Sequence, residues 1–89
     1  MRAYHRRALG GTSGTLEIGR NSIQFISDTT ADSRTWLYRD IETIGKPDSF
    51  RVRVTTNREI YVLELRAELP EAAYQVAWSK VYNLERSNR

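Results

Sequence analysis

The hydrophobic period of this sequence changes along the chain, from two residues before position 66 to about 3.6 residues after it. Apolar side chains occupy every second position in two segments, at Phe50, Val52 and Val54 and again at Tyr61, Leu63 and Leu65. Such alternation predicts two antiparallel strands, each with one buried face. From residue 69 the apolar residues recur every three or four positions, which predicts one amphipathic helix over about 69–86. A chain with this pattern has to pack a helix against a sheet.

The predicted helix has a defined start and a defined inner face. Pro70 suits the first turn because it lacks an N–H group, and Glu71 suits the positive end of the helix dipole. The residues predicted to lie on the apolar face are Leu69, Ala73, Tyr74, Ala77, Trp78, Val81 and Leu84. A single face of this kind requires a sheet to cover it.

Short extended segments separated by turn residues precede this helix and predict an antiparallel sheet. We predict strands at 3–8, 15–18, 23–25 and 34–38, a bent strand (or a helical turn) at 40–45, and the two alternating strands that end near 66. Three glycines predict a flexible turn at 9–14, and polar residues predict an exposed loop at 27–33. The fold class is therefore mainly β, with six or seven antiparallel strands and one C-terminal helix.

The composition restricts the chemistry. The 89 residues contain no cysteine and one histidine, so a disulfide framework, a zinc site and a thiol nucleophile are excluded. No apolar run approaches the roughly 20 residues of a transmembrane helix, and the N-terminus lacks the apolar core of a signal peptide. We therefore expect a soluble protein, assigned to the cytoplasm.

Two constellations of polar residues suggest chemistry at first sight. His5 with Asp40 and a serine can be drawn as a hydrolase triad, but no nucleophile-elbow sequence is present. Asp28 and Asp32 can be drawn around a cation, but two carboxylates make a poor calcium site, and a solvated loop explains them equally well. We expect a protein that is not an enzyme and that has no metal or cofactor.

The basic residues predict a candidate binding surface. The chain has 14 Lys+Arg against 11 Asp+Glu, and the surplus lies at the two ends of the chain, with Arg86 and Arg89 at the C-terminus. The predicted surface comprises Arg2, Arg6, Arg7, Gly10, Gly11 and Arg20. A net charge of only +3 disfavours nucleic acid as the partner.

Large aromatic side chains predict the core. In a domain of this size such residues supply much of the buried area, which favours packing over a stacking platform for ligands. We assign Trp36, Trp78, Phe50 and Tyr74 to the core.

Four segments together resemble the pleckstrin-homology (PH) superfold, especially its bacterial PH/GRAM-type members. They are Gly14-Thr15-Leu16, Trp36-x-Tyr38-x-Asp40-Ile41, Phe50-x-Val52-x-Val54, and Trp78 in the final helix. The resemblance covers about residues 3–86 and rests on the order of elements. It implies one PH-like domain over 1–89, a partly open barrel closed by the helix. It further implies a scaffold that binds membranes, peptides or neighbouring domains.

The resemblance also directs the choice of ligand. Phosphoinositide-binding members carry basic residues on the first two strands, a region that corresponds here to Arg6, Arg7 and the segment Gly10–Gly14. Glu17 departs from that pattern, so we predict a non-catalytic module that binds a protein segment or an adjacent domain. Anionic membrane lipid, bound through the N-terminal arginines, is the alternative. We also predict homodimerisation through strand 3–8, on the assumption that it lies at a sheet edge.

Overall fold

The computed structural model describes residues 1–7, 10–29 and 32–87, and for 84–87 it describes the backbone alone. Within these residues, seven strands precede one α-helix: β1 Arg2–Arg7, β2 Gly10–Ile18, β3 Ser22–Ser27, β4 Arg34–Leu37, β5 Thr43–Gly45, β6 Arg51–Thr55, β7 Ile60–Leu65 and α1 Glu71–Ser87. A 3-10 helix, Tyr38–Asp40, connects β4 to β5. The predicted mainly β fold, with six or seven antiparallel strands and a C-terminal helix, is confirmed.

All seven strands belong to one antiparallel sheet in the order β4-β3-β2-β1-β7-β6-β5. The sheet curls into a half-barrel, and α1 packs against β5, β2 and the 3-10 helix. β1 lies at the centre, because it pairs with β2 over Arg2–Arg7 and with β7 over Ala3–His5. The assumption that the N-terminal strand is a sheet edge is therefore wrong, and the proposed dimer contact loses its basis.

The glycine-rich segment is a strand and not a loop. β2 begins at Gly10, and its pairing with β1 runs from Gly10 opposite Arg7 to Thr15 opposite Arg2. Gly14 is needed there because a Cβ at this position would collide with the main chain of Ile26 and Ser27 and with the ring of Phe25. Glycine thus permits the close strand approach that lets the sheet curl. Residues 8–9 lie outside the described part of the chain.

The core lies between the concave face of the sheet and α1. Its members come from every strand and from the helix: Ala3, Leu16, Ile23, Phe25, Trp36, Tyr38, Ile41, Ile44, Val52, Val54, Tyr61, Leu63, Leu65, Leu69, Ala77 and Val81. The alternation that predicted inward Val52, Val54, Tyr61, Leu63 and Leu65 is confirmed. Trp36 is buried as predicted, and Tyr74 packs against the core half-buried.

Two aromatic assignments to the core are wrong. Phe50 is 47% exposed, because Asp48 accepts a hydrogen bond from its N–H and turns the chain before β6 begins. Trp78 is 42% exposed, because Ala77 and Val81 occupy the inner face of α1. The Trp78 ring lies at the flank against Tyr82, with ring centroids 4.8 Å apart. The periodicity identified the correct inner face of the helix but made that face too wide, so that it included Trp78.

Two further expectations change in detail. The segment 40–45 is not a continuous bent strand: Asp40 ends the 3-10 helix, and β5 begins at Thr43. The loop after β3 is not fully solvated, because Ser27 is buried in β3 and Asp32 is only 1% exposed. Residues 30–31 and the side chain of Leu84 lie outside the described residues.

The helix α1 is partly polar, and none of the helices described here has both the length and the apolar character needed to cross a membrane.

Candidate functional site

The N-terminal arginines are neutralised by carboxylates. The pairs are Arg2–Asp28, Arg6–Glu64 and Arg7–Asp32, with N···O distances of 2.5, 2.8 and 2.7 Å. The hydrogen bonds from Arg2 and Arg6 hold the pKa values of Asp28 and Glu64 below their usual range. These arginines therefore act chiefly within the protein and do not form a surface of unpaired cations.

The residues of the predicted basic surface do not converge. Arg6 and Arg7 are consecutive in β1 and so face opposite sides of the sheet. Gly10 and Gly11 pair with that end of β1, whereas Arg20 lies beyond the other end of β2. Gly10 and Ile18 are the two ends of this nine-residue strand and lie about 26 Å apart along it. A single ligand cannot contact the whole set.

The concave side of β1 carries a polar cluster built on Asp32. Its carboxylate lies 2.9 Å from His5 Nδ1 and accepts hydrogen bonds from Arg7 (2.7 Å) and the Tyr61 hydroxyl (2.7 Å). The His5 ring stacks on Tyr61 with centroids 3.7 Å apart. His5 is therefore paired with Asp32 and not, as the triad hypothesis required, with Asp40.

The electrostatics of this cluster favour a structural role. Burial opposes ionisation of Asp32, but the hydrogen bonds from Tyr61, Arg7 and His5 outweigh it and hold its pKa well below the usual range. Burial and the same hydrogen bond raise the pKa of Tyr61. The cluster joins the loop after β3 to β1 and β7. The shared-cation hypothesis is also wrong, because Asp28 is paired with Arg2 instead.

A cleft of about 770 Å³ lies where the half-barrel is open, between β4 and the turn that joins β6 to β7. Its walls carry charges of both signs, from Arg34, Arg39, Arg58, Asp40, Glu42 and Glu59. Glu59 crosses the gap, since it accepts hydrogen bonds from Trp36 Nε1 (3.3 Å) and Arg34 Nε (3.3 Å). The side chains of Glu59, Trp36 and Arg34 therefore bridge the cleft at one end, and charged residues line the rest of it.

The main chain of β4 has a free side along this opening. Tyr38 N–H bonds to the carbonyl of Asn21, and the register pairs Leu37 with Ser22 and Thr35 with Gln24. In an antiparallel ladder the bonded pairs alternate, so Thr35 and Leu37 direct their N–H and C=O groups away from β3. Among the described residues, no hydrogen bond outside the regular elements reaches the N–H or C=O of Thr35 or the N–H of Leu37. The C=O of Leu37 is the exception, because Leu37 is the N-cap of the 3-10 helix and its carbonyl accepts the first bond of that helix. Both side chains are also exposed.

The opposite edge of the sheet, at β5, is occupied. The Tyr82 hydroxyl of α1 lies 3.0 Å from Ile44 N and 3.0 Å from Ile44 O, accepting from the first and donating to the second. Because Ile44 is the middle residue of a three-residue strand, one hydroxyl satisfies the outward main-chain groups at its centre. α1 therefore closes one edge of the sheet and leaves the other open.

Little in the sequence predicts that β5 is covered and that β4 is open. The 3.6-residue period placed Trp78 on the inner face, and Tyr82 is the next residue on the same side of the helix, four positions on. The roles of Asp32 and Glu59 could not be predicted from the sequence. A carboxylate in a polar loop is expected to be solvated unless its distant hydrogen-bond partners are known. The free edge of β4 depends on strand order alone.

Comparison with known protein families, curated proteins and solved structures finds no match to this chain.

Proposed function

We propose that this chain is a non-catalytic interaction module of PH-like fold that binds an extended segment of a partner protein as an eighth strand on β4. The observation that supports the proposal is the free main-chain edge at Thr35 and Leu37, beside the open cleft. A peptide added to a sheet edge gains main-chain hydrogen bonds from such groups. The partner segment would run antiparallel to β4, in keeping with the rest of the sheet.

The choice of β4 follows from the state of the other strands. β1 has strands on both sides, and Tyr82 occupies β5. Exposed strand edges are usually shortened or covered because they pair indiscriminately. β4 has four residues, which is short enough to limit self-pairing and long enough to offer two outward residues.

The N-terminal arginines give little support to the alternative, binding to anionic membrane. Attraction to such a surface is about 1 kcal/mol per unpaired basic residue. Arg2, Arg6 and Arg7 each already contact a carboxylate. A lipid headgroup would have to displace those carboxylates.

Leu37→Pro tests the proposal with little disturbance of the fold. The φ angle of Leu37 is −65°, the value that proline requires, and its N–H points away from β3. The substitution removes the donor that an added strand would use. Leu37→Ala is the matched control, because it shortens the side chain and keeps the N–H group.

The measurement uses peptides selected from a random display library on the wild-type protein. We expect the selected peptides to bind wild type and L37A, to bind L37P at least about tenfold more weakly, and to protect the amides of Thr35 and Leu37 from hydrogen exchange. Equal binding to L37P and L37A, or a library that yields no binder, would contradict the proposal.

A further inference from the structure

A second, smaller pocket lies at the C-terminal end of β4. Its volume is about 350 Å³, and it is lined by Arg20, Asn21, Leu37, Tyr38, Arg39 and Lys80. We call it the basic pocket. The three cations come from three separate parts of the chain: the β2–β3 turn, the 3-10 helix and α1.

The charge of the basic pocket is not compensated within the pocket itself, although Arg39 also borders the larger cleft, whose walls carry carboxylates. None of the ion pairs found among the described residues involves Arg20, Arg39 or Lys80, and no carboxylate lines the pocket. Arg2, Arg6 and Arg7, by contrast, all have carboxylate partners. Three positive charges around one small concavity repel each other unless an anion lies between them.

Buried contacts hold these cations close together. The Tyr38 hydroxyl donates to the carbonyl of Gly19 (2.7 Å), and the Tyr38 N–H donates to the carbonyl of Asn21 (3.3 Å). The two acceptors, Gly19 and Asn21, are the neighbours of Arg20 in sequence. The two bonds therefore hold the main chain around Arg20 against Tyr38, the residue before Arg39. Tyr38 itself is 4% exposed, so this connection belongs to the core.

The third cation is fixed by the packing of the helix. Ala77 and Val81 of α1 are buried in the core on either side of Lys80, and α1 contacts the 3-10 helix. The backbone positions of all three cations are therefore set before any ligand arrives. A site prepared in this way loses less free energy to ordering when it binds.

We propose that the basic pocket binds a phosphomonoester group. Such a group carries a charge of about −1.5 to −2 at neutral pH and three acceptor oxygens, whereas a carboxylate carries −1 and two. Two guanidinium groups and one ammonium match the larger charge and the larger number of acceptors. The exposed edge of Leu37 provides an apolar contact for the group that bears the phosphate.

This inference goes beyond strand addition on β4. Strand addition uses the main chain of Thr35 and Leu37, whereas phosphate binding uses the side chains of Arg20, Arg39 and Lys80. Either function can fail while the other is retained, and the phosphate titration contains no peptide.

The test is a calorimetric or NMR titration of the full chain with phenyl phosphate, inorganic phosphate and benzoate. We expect phenyl phosphate to bind more tightly than benzoate, and Arg39→Gln or Lys80→Gln to weaken its binding about tenfold. Arg66→Gln is the matched control, because Arg66 is exposed, lies outside the pocket and carries the same charge. It should change the affinity by less than about twofold.

A second arm identifies the source of the phosphate. Vesicles of phosphatidylcholine, with or without phosphatidic acid, present the same phosphomonoester on a lipid. Binding that requires phosphatidic acid and is lost in R39Q would support a lipid source, whereas binding of phenyl phosphate alone would support a dissolved ligand. No binding in either arm, or equal losses in R39Q and R66Q, would overturn the proposal.

Discussion

The arginines of β1 and the cations beside β4 differ in one respect. Arg2, Arg6 and Arg7 each contact a carboxylate from another part of the chain, whereas Arg20 and Arg39 contact none among the described residues. The same contrast applies to the sheet edges, since Tyr82 covers β5 and β4 is bare. Charged and main-chain polar groups that have a partner within the protein stabilise the fold. Those at the surface that have no such partner are available to a ligand.

Removing the Asp32 carboxylate should have the largest effect. Asp32→Ala leaves His5, Arg7 and the Tyr61 hydroxyl without their common acceptor, so we expect a loss of about 3 kcal/mol in the free energy of unfolding. Urea denaturation measures it. Asp28→Ala breaks an exposed, solvent-screened pair instead and should lower the free energy of unfolding much less. Equal losses in both variants would remove the distinction between buried and exposed pairs.

The same carboxylate predicts a pH dependence. The pKa of Asp32 is lower in the folded protein than in the unfolded chain, where it is about 3.9. Its contribution is therefore fully present well above pH 4 and is lost as the pH falls through the folded-state pKa. We expect the stability difference between wild type and D32A to shrink between pH 5 and pH 2, measured by urea denaturation at each pH. A constant difference would show that ionisation of Asp32 does not stabilise the fold.

Opening the covered edge should have an intermediate effect. Tyr82→Phe keeps the ring against Trp78 but removes the hydroxyl from Ile44, so we expect a loss of about 1–2 kcal/mol and faster hydrogen exchange at the Ile44 amide. Tyr74→Phe is the control, since no hydrogen bond of its hydroxyl occurs among the described contacts. If Ile44 exchanges at an unchanged rate in Y82F, the hydroxyl does not seal β5.

The smallest effect is expected at the exposed arginines. Arg6→Gln breaks an exposed pair with Glu64 and should lower the free energy of unfolding only slightly, because solvent screens that pair. Arg39→Gln breaks no ion pair within the described chain and should leave the stability unchanged or raise it slightly, because it reduces repulsion in the basic pocket. A larger loss in R39Q than in R6Q, measured by thermal unfolding, would mean that Arg39 serves the fold.

Much of the fold could be predicted because its signals are local. Alternation at Val52 and Val54 and the 3.6-residue period after Leu69 depend only on neighbours in sequence, and both were confirmed. The errors occurred where a distant contact decides the outcome. Gly10 and Gly11 are in a strand because β1 pairs with them, and Phe50 is exposed because a turn at Asp48 precedes it.

The candidate sites could not be predicted in the same way. The sequence identified Arg20 but grouped it with Arg6 and Arg7, from which the length of β2 separates it. It gave no reason to join Arg20 with Lys80, sixty positions away. Proximity of that kind is set by strand order and helix packing, which are properties of the complete core.

The sequence by itself determined the fold class, the alternating strands β6 and β7 and the helix, because hydrophobic periodicity acts over a few residues. It also excluded cysteine chemistry by composition. Only the tertiary structure decided which cations are neutralised, which strand is an edge and which edge is covered. These depend on contacts between residues far apart in sequence, such as Arg7 with Asp32 and Tyr82 with Ile44, and no local pattern encodes such contacts.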